Sequence, residues 1–404
     1  MTTATRRLVF LLGLAGFMVM ADNWVVSPIL PAISKSVGVT AEAAGLLIAA
    51  YMLPFGVFQL VYGPLADRFG KTRVILVTFT GFALTTALCA LGNTLTGVAA
   101  FRALTGLFAA ATMPISLALI ADAVPMENRQ QAVGSFMGIA FLGQALSMGI
   151  GGAIAYYLDW RGVFIVYAVA SAVIAVALWR GLRGLEPETA RPERDGSAFK
   201  PYLSLLGHGP SLRTYSVILI EGMLLLGSFG YLGAVLAQRF SLSLLAIGGV
   251  MTGFGIGAVI AGRTSAKVAA RLGRTGAITL GLLVAALADG LIFFSGNALV
   301  LTSLGVLLLG LGFMTAHSTL ITVATQFAAK AQGTAMSLVT FAFMVGGAVG
   351  TQLGGRIAIA TSLTSLYAIY GSGLLVLAVV AFFAVNVARS ASPEPMEPVI
   401  HVAG

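Results

Sequence analysis

The sequence predicts an all-α membrane protein of about twelve transmembrane helices, built as two parallel six-helix halves. Three observations carry this expectation: an apolar and charge-poor composition, a regular series of hydrophobic runs, and an internal repeat at one fixed offset. Of 404 residues, 58% are hydrophobic and 9% charged, against roughly 25% charged in a soluble domain. A spanning helix needs about 20 mostly apolar residues. The 50 glycines suit close helix packing in lipid, where small residues let backbones meet.

Hydrophobic runs bounded by charge or turn residues place spans near 8–33, 42–65, 74–93, 97–121, 131–156 and 162–182. A second series follows at 213–237, 243–266, 275–294, 298–324, 332–358 and 363–387. The expected halves are 1–185 and 212–390, joined by a polar cytoplasmic linker at 186–211 that holds Pro187, Pro192 and several charges. A Pro- and Glu-containing cytoplasmic tail is expected over 391–404. Arg6 and Arg7 precede an apolar run that continues past Asp22 to Ile33. That is longer than a signal-peptide core, so the pair reads as a cytoplasmic anchor.

Orientation follows from the basic residues. With the N-terminus cytoplasmic, only Lys35, Arg161, Arg239 and Arg356 fall outside and Arg102 lies within a span; the rest of the 23 fall inside. Both termini are therefore expected in the cytoplasm, the membrane being a bacterial inner membrane. The same asymmetry accounts for the net charge of +9 without a nucleic-acid partner. The single cysteine, Cys89, allows no internal disulfide, and there is no Cys/His metal cluster.

The repeat appears on adding 203 to positions in the first half. Gly45 maps to Gly248, Arg68 to Arg271, Gly70 to Gly273, Lys71 to Arg274, Gly143 to Gly346, and Gly151 and Gly152 to Gly354 and Gly355. One ungapped offset thus matches a basic loop and a glycine-rich helix together. Parallel halves of this kind bind substrate between them near the membrane midplane.

The loop after the second span reads Gly63-Pro64-Leu65-Ala66-Asp67-Arg68-Phe69-Gly70-Lys71-Thr72-Arg73. It resembles the signature loop of the major facilitator superfamily, and the resemblance covers roughly residues 8–388. Gly63 and Gly70 allow close approach and a sharp turn, and Asp67 suits a helix N-terminus. The resemblance implies a conformational latch of Gly63, Asp67, Arg68, Gly70, Lys71, Arg73 and Asp122. Asp67 is then expected near Gln332 to Ala335 and Asp122 beside Lys71 or Arg73; the plain alternative is a positive-inside loop with an incidental acid. In the second half Ala270 replaces the acid while Arg271, Gly273 and Arg274 remain.

Gly134, Gly143, Gly151 and Gly152 in the fifth span are similar to the glycine-rich motif of the family's drug:proton antiporters. Ser147-Met148 stands where a Gly-Pro pair is expected, so ordinary small-residue packing serves equally. Asp22, Arg102, Trp160-Arg161 and the short linker also look like that twelve-helix group.

Charges inside the hydrocarbon cost about 2.5–3.5 kcal/mol on insertion scales. Asp22 in the first span and Arg102 in the fourth sit on helices that line the cavity by family resemblance. They are expected to pair, as a proton-coupling site or as a permanent structural ion pair. Glu221 reads as a second proton site, a cation contact, or a solvated vestibule group. His317 reads as a titrating group or a packed one, and Asp289 as a side chain reaching the interface.

Expected cavity residues are Asn23, Trp24, Tyr51, Met52, Phe55, Met113, Met137, Phe141, Phe229, Tyr231, Met314, His317 and Phe341. Methionine and aromatic side chains suit a permissive pocket for apolar or cationic molecules; core filling and lipid contact are the ordinary alternatives. Pro54 and Pro114 imply helix kinks. No nucleotide-binding loop, nucleophile elbow or HExxH motif is present, so no enzyme activity and no cofactor is expected. The reading is a monomeric, gradient-driven transporter with membrane lipid, protons and a small-molecule substrate as partners. Proton-coupled drug export leads. A dedicated sugar or amino-acid exporter, an uncoupled facilitator and a non-transporting receptor are the rivals.

Overall fold

A computed structural model describes residues 3–182, 200–328 and 332–390, and the described residues are almost wholly helical. The first-half elements are α1 Thr3–Trp24, α2 Val26–Ser36, α3 Ala41–Ala44, α4 Leu46–Phe69, α5 Lys71–Cys89, α6 Leu95–Ala109, α7 Thr112–Ala123, α8 Met126–Leu158 and α9 Trp160–Leu182. They are followed by α10 Lys200–Gly207, α11 Gly209–Phe229, α12 Leu232–Phe240, α13 Leu244–Phe294, α14 Leu299–Gln326, α15 Gln332–Ala360 and α16 Ser365–Ser390. Among the described residues, 11 helices are long and apolar enough to cross a membrane.

The difference from about twelve has one source. The expected spans 243–266 and 275–294 fall within the 51 residues of α13, where two helical arms meet at Gly273 with φ 71° and ψ 167°. Gly70, which joins α4 to α5, has φ 87° and ψ 132°. These left-handed positions need a residue without Cβ, and they are the two glycines related by the repeat offset.

Several interruptions follow from proline. Pro114 lacks the N–H that would bond the carbonyl of Ala110, where α6 gives way to α7. Pro28 likewise removes the donor for Trp24, where α1 gives way to α2. Helices also start earlier than the hydrophobic runs. α5 begins at Lys71 and α8 at Met126, because a helix continues past the hydrocarbon into polar first turns that hydropathy does not register.

The polar stretch 186–211 is described only in part. Its residues through 199 lie outside the described residues, as does the tail 391–404. From Lys200 onward the chain is helical, since Tyr202 and Leu205 of α10 are buried. Pro210 in the first turn of α11 fits a position that needs no N–H donor.

Glycines set the helix contacts. A Cβ on Gly143 of α8 would strike the backbone carbonyl of Phe17 on α1, and one on Gly346 of α15 would strike that of Leu219 on α11. Gly152 of α8 faces Leu244 and Gly248 of α13, while Gly355 of α15 faces Glu42 of α3. The end of the molecule opposite the N-terminus is closed by further contacts. Ser27 donates to the carbonyl of Phe229 at 2.8 Å, and Tyr231 donates to those of Thr351 at 2.7 Å and Glu42 at 3.2 Å.

Gly143→Val and Gly346→Val are each expected to lower stability by about 1–3 kcal/mol, the cost of overpacking. Gly138→Ala, where a Cβ meets nothing within 4 Å, is expected to cause no loss. Thermal unfolding of the purified variants in detergent checks this contrast.

Candidate functional site

Asp22 near the end of α1 and Arg102 on α6 meet deep in the first half. Arg102 Nη1 lies 2.5 Å from Asp22 Oδ2, and Nη2 donates to the Asp22 carbonyl at 3.3 Å. Asp22 is 0% exposed and Arg102 1%, so water screens the pair little. The guanidinium also lies 4.2 Å from the Tyr51 ring centroid and 5.8 Å from that of Phe164, a favourable cation–π arrangement. Gly106 makes this possible: one helical turn beyond Arg102, it lets α6 approach the backbone of Tyr51 on α4. Phe55 stacks on Tyr51 at 5.6 Å.

The surroundings are rich in buried polar atoms. Asp22 Oδ1, Arg102 Nε, both amide atoms of Asn23, and the hydroxyls of Tyr51 and Tyr167 have no hydrogen-bond partner among the described residues.

The second half holds a different pair. Glu221 on α11 is fully buried, and its Oε2 lies 2.9 Å from His317 Nδ1 on α14. Sequence separation hid this partner. Gly222 of α11 approaches the backbone of Phe343 on α15, which brings Glu221 beside the aromatic residues of α14 and α15. His317 stacks on Phe313 at 5.1 Å and 29° and lies 4.4 Å from Phe343. Phe313 stacks in turn on Phe343 at 5.5 Å and on Phe254 at 5.7 Å. Trp24 closes the column, 5.1 Å from Phe229 and 5.2 Å from Phe254. The column therefore links α1 to α11, α13, α14 and α15.

Phe254, Phe313 and Phe343 were not among the expected cavity residues, whereas Trp24, Phe229 and His317 were. Helical phase explains the miss. In helices apolar on every side, nothing in the sequence distinguishes Phe313 from Met314 or Phe343 from Phe341.

Other expected cavity residues divide into two groups. Met113, Met137, Phe141, Met314 and Phe341 are half-buried. Met52 is buried and reaches Gly347 of α15. Tyr231 is buried between α3 and α15, where its ring fills the notch left by Gly45 and Gly355 and its hydroxyl joins the two elements. Asp289 is corrected. It does not reach an interface but is fully buried against Gly371 of α16.

In the loop, Lys71 pairs with Asp122. Arg274 donates to Gln326 at the corresponding place in the second half. Asp67, Arg68 and Arg73 are exposed, and a Cβ placed on Gly63 would meet, among the described residues outside its own helix backbone, only the Tyr202 hydroxyl, at 3.9 Å. No ion pair of Asp67 occurs among the described residues; the side chain of Gln332, its expected neighbour, lies outside them.

A model of the Major Facilitator Superfamily matches residues 12–351 and again 234–401. The chain belongs to the major facilitator superfamily. Among curated proteins, this facilitator is 29% identical over 350 residues to the uncharacterized MFS-type transporter YceJ of Bacillus subtilis (strain 168), covering 84% of this chain and 86% of that one. It is 33% identical over 198 residues to the puromycin resistance protein pur8 of Streptomyces alboniger, covering 48% and 38% of the two chains. Its fold matches the crystal structure of a bacterial homolog of the human lysosomal transporter Spinster with a TM-score of 0.72, at 17% identity and 96% coverage of both chains. The facilitator is thus a multi-pass membrane transporter.

Arg102→Gln leaves Asp22 buried without its partner and is expected to cost about 3–5 kcal/mol. The double variant Asp22→Asn/Arg102→Gln is expected to recover most of that loss. A double-mutant cycle of unfolding midpoints measures both.

Proposed function

We propose that this facilitator exports small apolar or cationic compounds in exchange for protons, by alternating access between two six-helix halves. The Asp22–Arg102 pair carries the reading. Its carboxylate can hold Arg102 or a proton, and the two states differ in charge at the centre of the first half. A cationic substrate and a proton would then compete for the same negative charge, which is the requirement for antiport. The puromycin resistance for which the Streptomyces alboniger relative is named fits export.

The architecture supports the same scheme. The arms of α13 on either side of Gly273, 244–272 and 274–294, rise about 44 and 32 Å at 1.5 Å per residue, each enough for the ~30 Å hydrocarbon core. Read as two spans joined at Gly273, α13 brings the crossings to twelve. Both termini then share one side, and the basic residues assign it to the cytoplasm, with the bacterial inner membrane as the setting. Matched contacts support a repeat relating the halves: Gly143 on Phe17 answers Gly346 on Leu219, and Gly152 on α13 answers Gly355 on α3.

The contacts of Ser27, Tyr231, Gly152 and Gly355 seal the outer end between the halves. This favours a state open to the cytoplasm, in which Asp67 is exposed. In the opposite state Asp67 would cap the start of α15 near Gln332 to Ala335, as the latch reading requires. Lys71–Asp122 holds the loop on its own half throughout.

Purified protein in weakly buffered detergent is expected to release protons when a lipophilic cation is added. Asp22→Asn is expected to abolish the release while leaving cation binding measurable. Undiminished release from Asp22→Asn would move coupling to another acid, and cation binding without release from the wild type would refute antiport.

A further inference from the structure

We propose that Glu221, Phe313 and Phe343 form a binding site for a flat aromatic monocation, and that His317 occupies this site as a tethered stand-in when substrate is absent. The proposal rests on the cationic-substrate reading above and gives that substrate a shape and a site it occupies before it reaches Asp22. An imidazole ring is the smallest version of such a ligand. Here it is held as a ligand would be: stacked on Phe313 at 5.1 Å, 4.4 Å from Phe343, and 2.9 Å from a carboxylate oxygen.

The carboxylate has capacity to spare. Glu221 is fully buried, and its Oε1 has no hydrogen-bond partner among the described residues. The packed helices α11, α14, α15 and α16 bring no competing cation to mid-span. Their arginines, Arg213, Arg356 and Arg389, lie toward helix ends. The His317 side chain is 13% exposed, so the stand-in sits at the edge of the site and not within a sealed core. A rotamer change at His317 would bare both the carboxylate and the aromatic faces. A planar cation then gains charge pairing and stacking from the same two walls.

Beyond Phe313 the column continues through Phe254 to Trp24. A longer aromatic body on the cation therefore has further ring surface on the path toward Asp22. A neutral compound of the same shape finds the ring surface but has no use for Glu221.

The test uses the full chain in detergent, with ethidium as the flat cation and Nile red as a neutral dye, both read by fluorescence. Wild type is expected to bind both. Glu221→Gln is expected to weaken ethidium by about tenfold or more while leaving Nile red unchanged, and Glu221→Asp is expected to retain most ethidium binding. In His317→Gly the vacated slot is expected to accept free imidazole, so that added imidazole competes with ethidium in this variant and not in the wild type.

Failure of wild type to bind ethidium would overturn the proposal. So would equal binding by Glu221→Gln, a parallel loss of both dyes, or the absence of imidazole competition in His317→Gly. The proton reading is scored separately by Asp22→Asn, so either conclusion can fail alone.

Discussion

Lipid tails are as apolar as leucine, so burying leucine against leucine does little to hold membrane helices together. What remains is close van der Waals contact, and in this chain glycine supplies it. Gly143 lies on the backbone of Phe17, Gly346 on that of Leu219, Gly106 on that of Tyr51 and Gly222 on that of Phe343. Each contact brings two helix backbones to a distance that any side chain would forbid. The two ion pairs depend on these approaches. Gly106 sets Tyr51 over Arg102, and Gly222 sets α11 beside α15, so that Glu221 and His317 meet among aromatic rings.

The two pairs solve the problem of burying charge differently. Asp22 faces a permanent cation, and the Tyr51 and Phe164 rings spread the guanidinium's field over aromatic faces. Glu221 faces a histidine, whose charge is conditional. One half thus pairs its acid with a fixed cation and the other with a histidine. Trp24 spans them, on the same helix as Asp22 and against the column that ends on His317. A change on either side therefore has a packed route to the other.

The helices and the basic loop were legible in the sequence because hydrocarbon imposes length and composition, and the loop has strict needs. Gly70 must adopt positive φ, and Lys71 met Asp122 as expected. Pairing of Asp22 with Arg102 was legible because buried charges in lipid have few alternatives. Other features were not. Glu221 and His317 are 96 residues apart, and neither announces the other. The Phe254–Phe313–Phe343 stack depends on helical phase, which helices without a polar face do not reveal. The packing of Tyr231 was hidden because sequence shows a ring's presence but not the glycine notch that receives it. Asp289 looked interfacial because an acid in an apolar helix is expected to reach polar surroundings, whereas it is buried against Gly371 in the core.

The two basic loops differ in how they are fastened. Lys71 and Asp122 form a full ion pair whose side chains are 18% and 33% exposed, within reach of dissolved ions. Arg274 holds the neutral Gln326. Counter-ions screen a charge–charge contact over a distance that shrinks from about 10 Å at 0.1 M to about 3 Å at 1 M salt, and a contact with a neutral amide loses far less. Rising ionic strength therefore slackens the first clasp and spares the second. The ionic composition of the solution at that face becomes a mechanical variable that acts on one loop and not on the other.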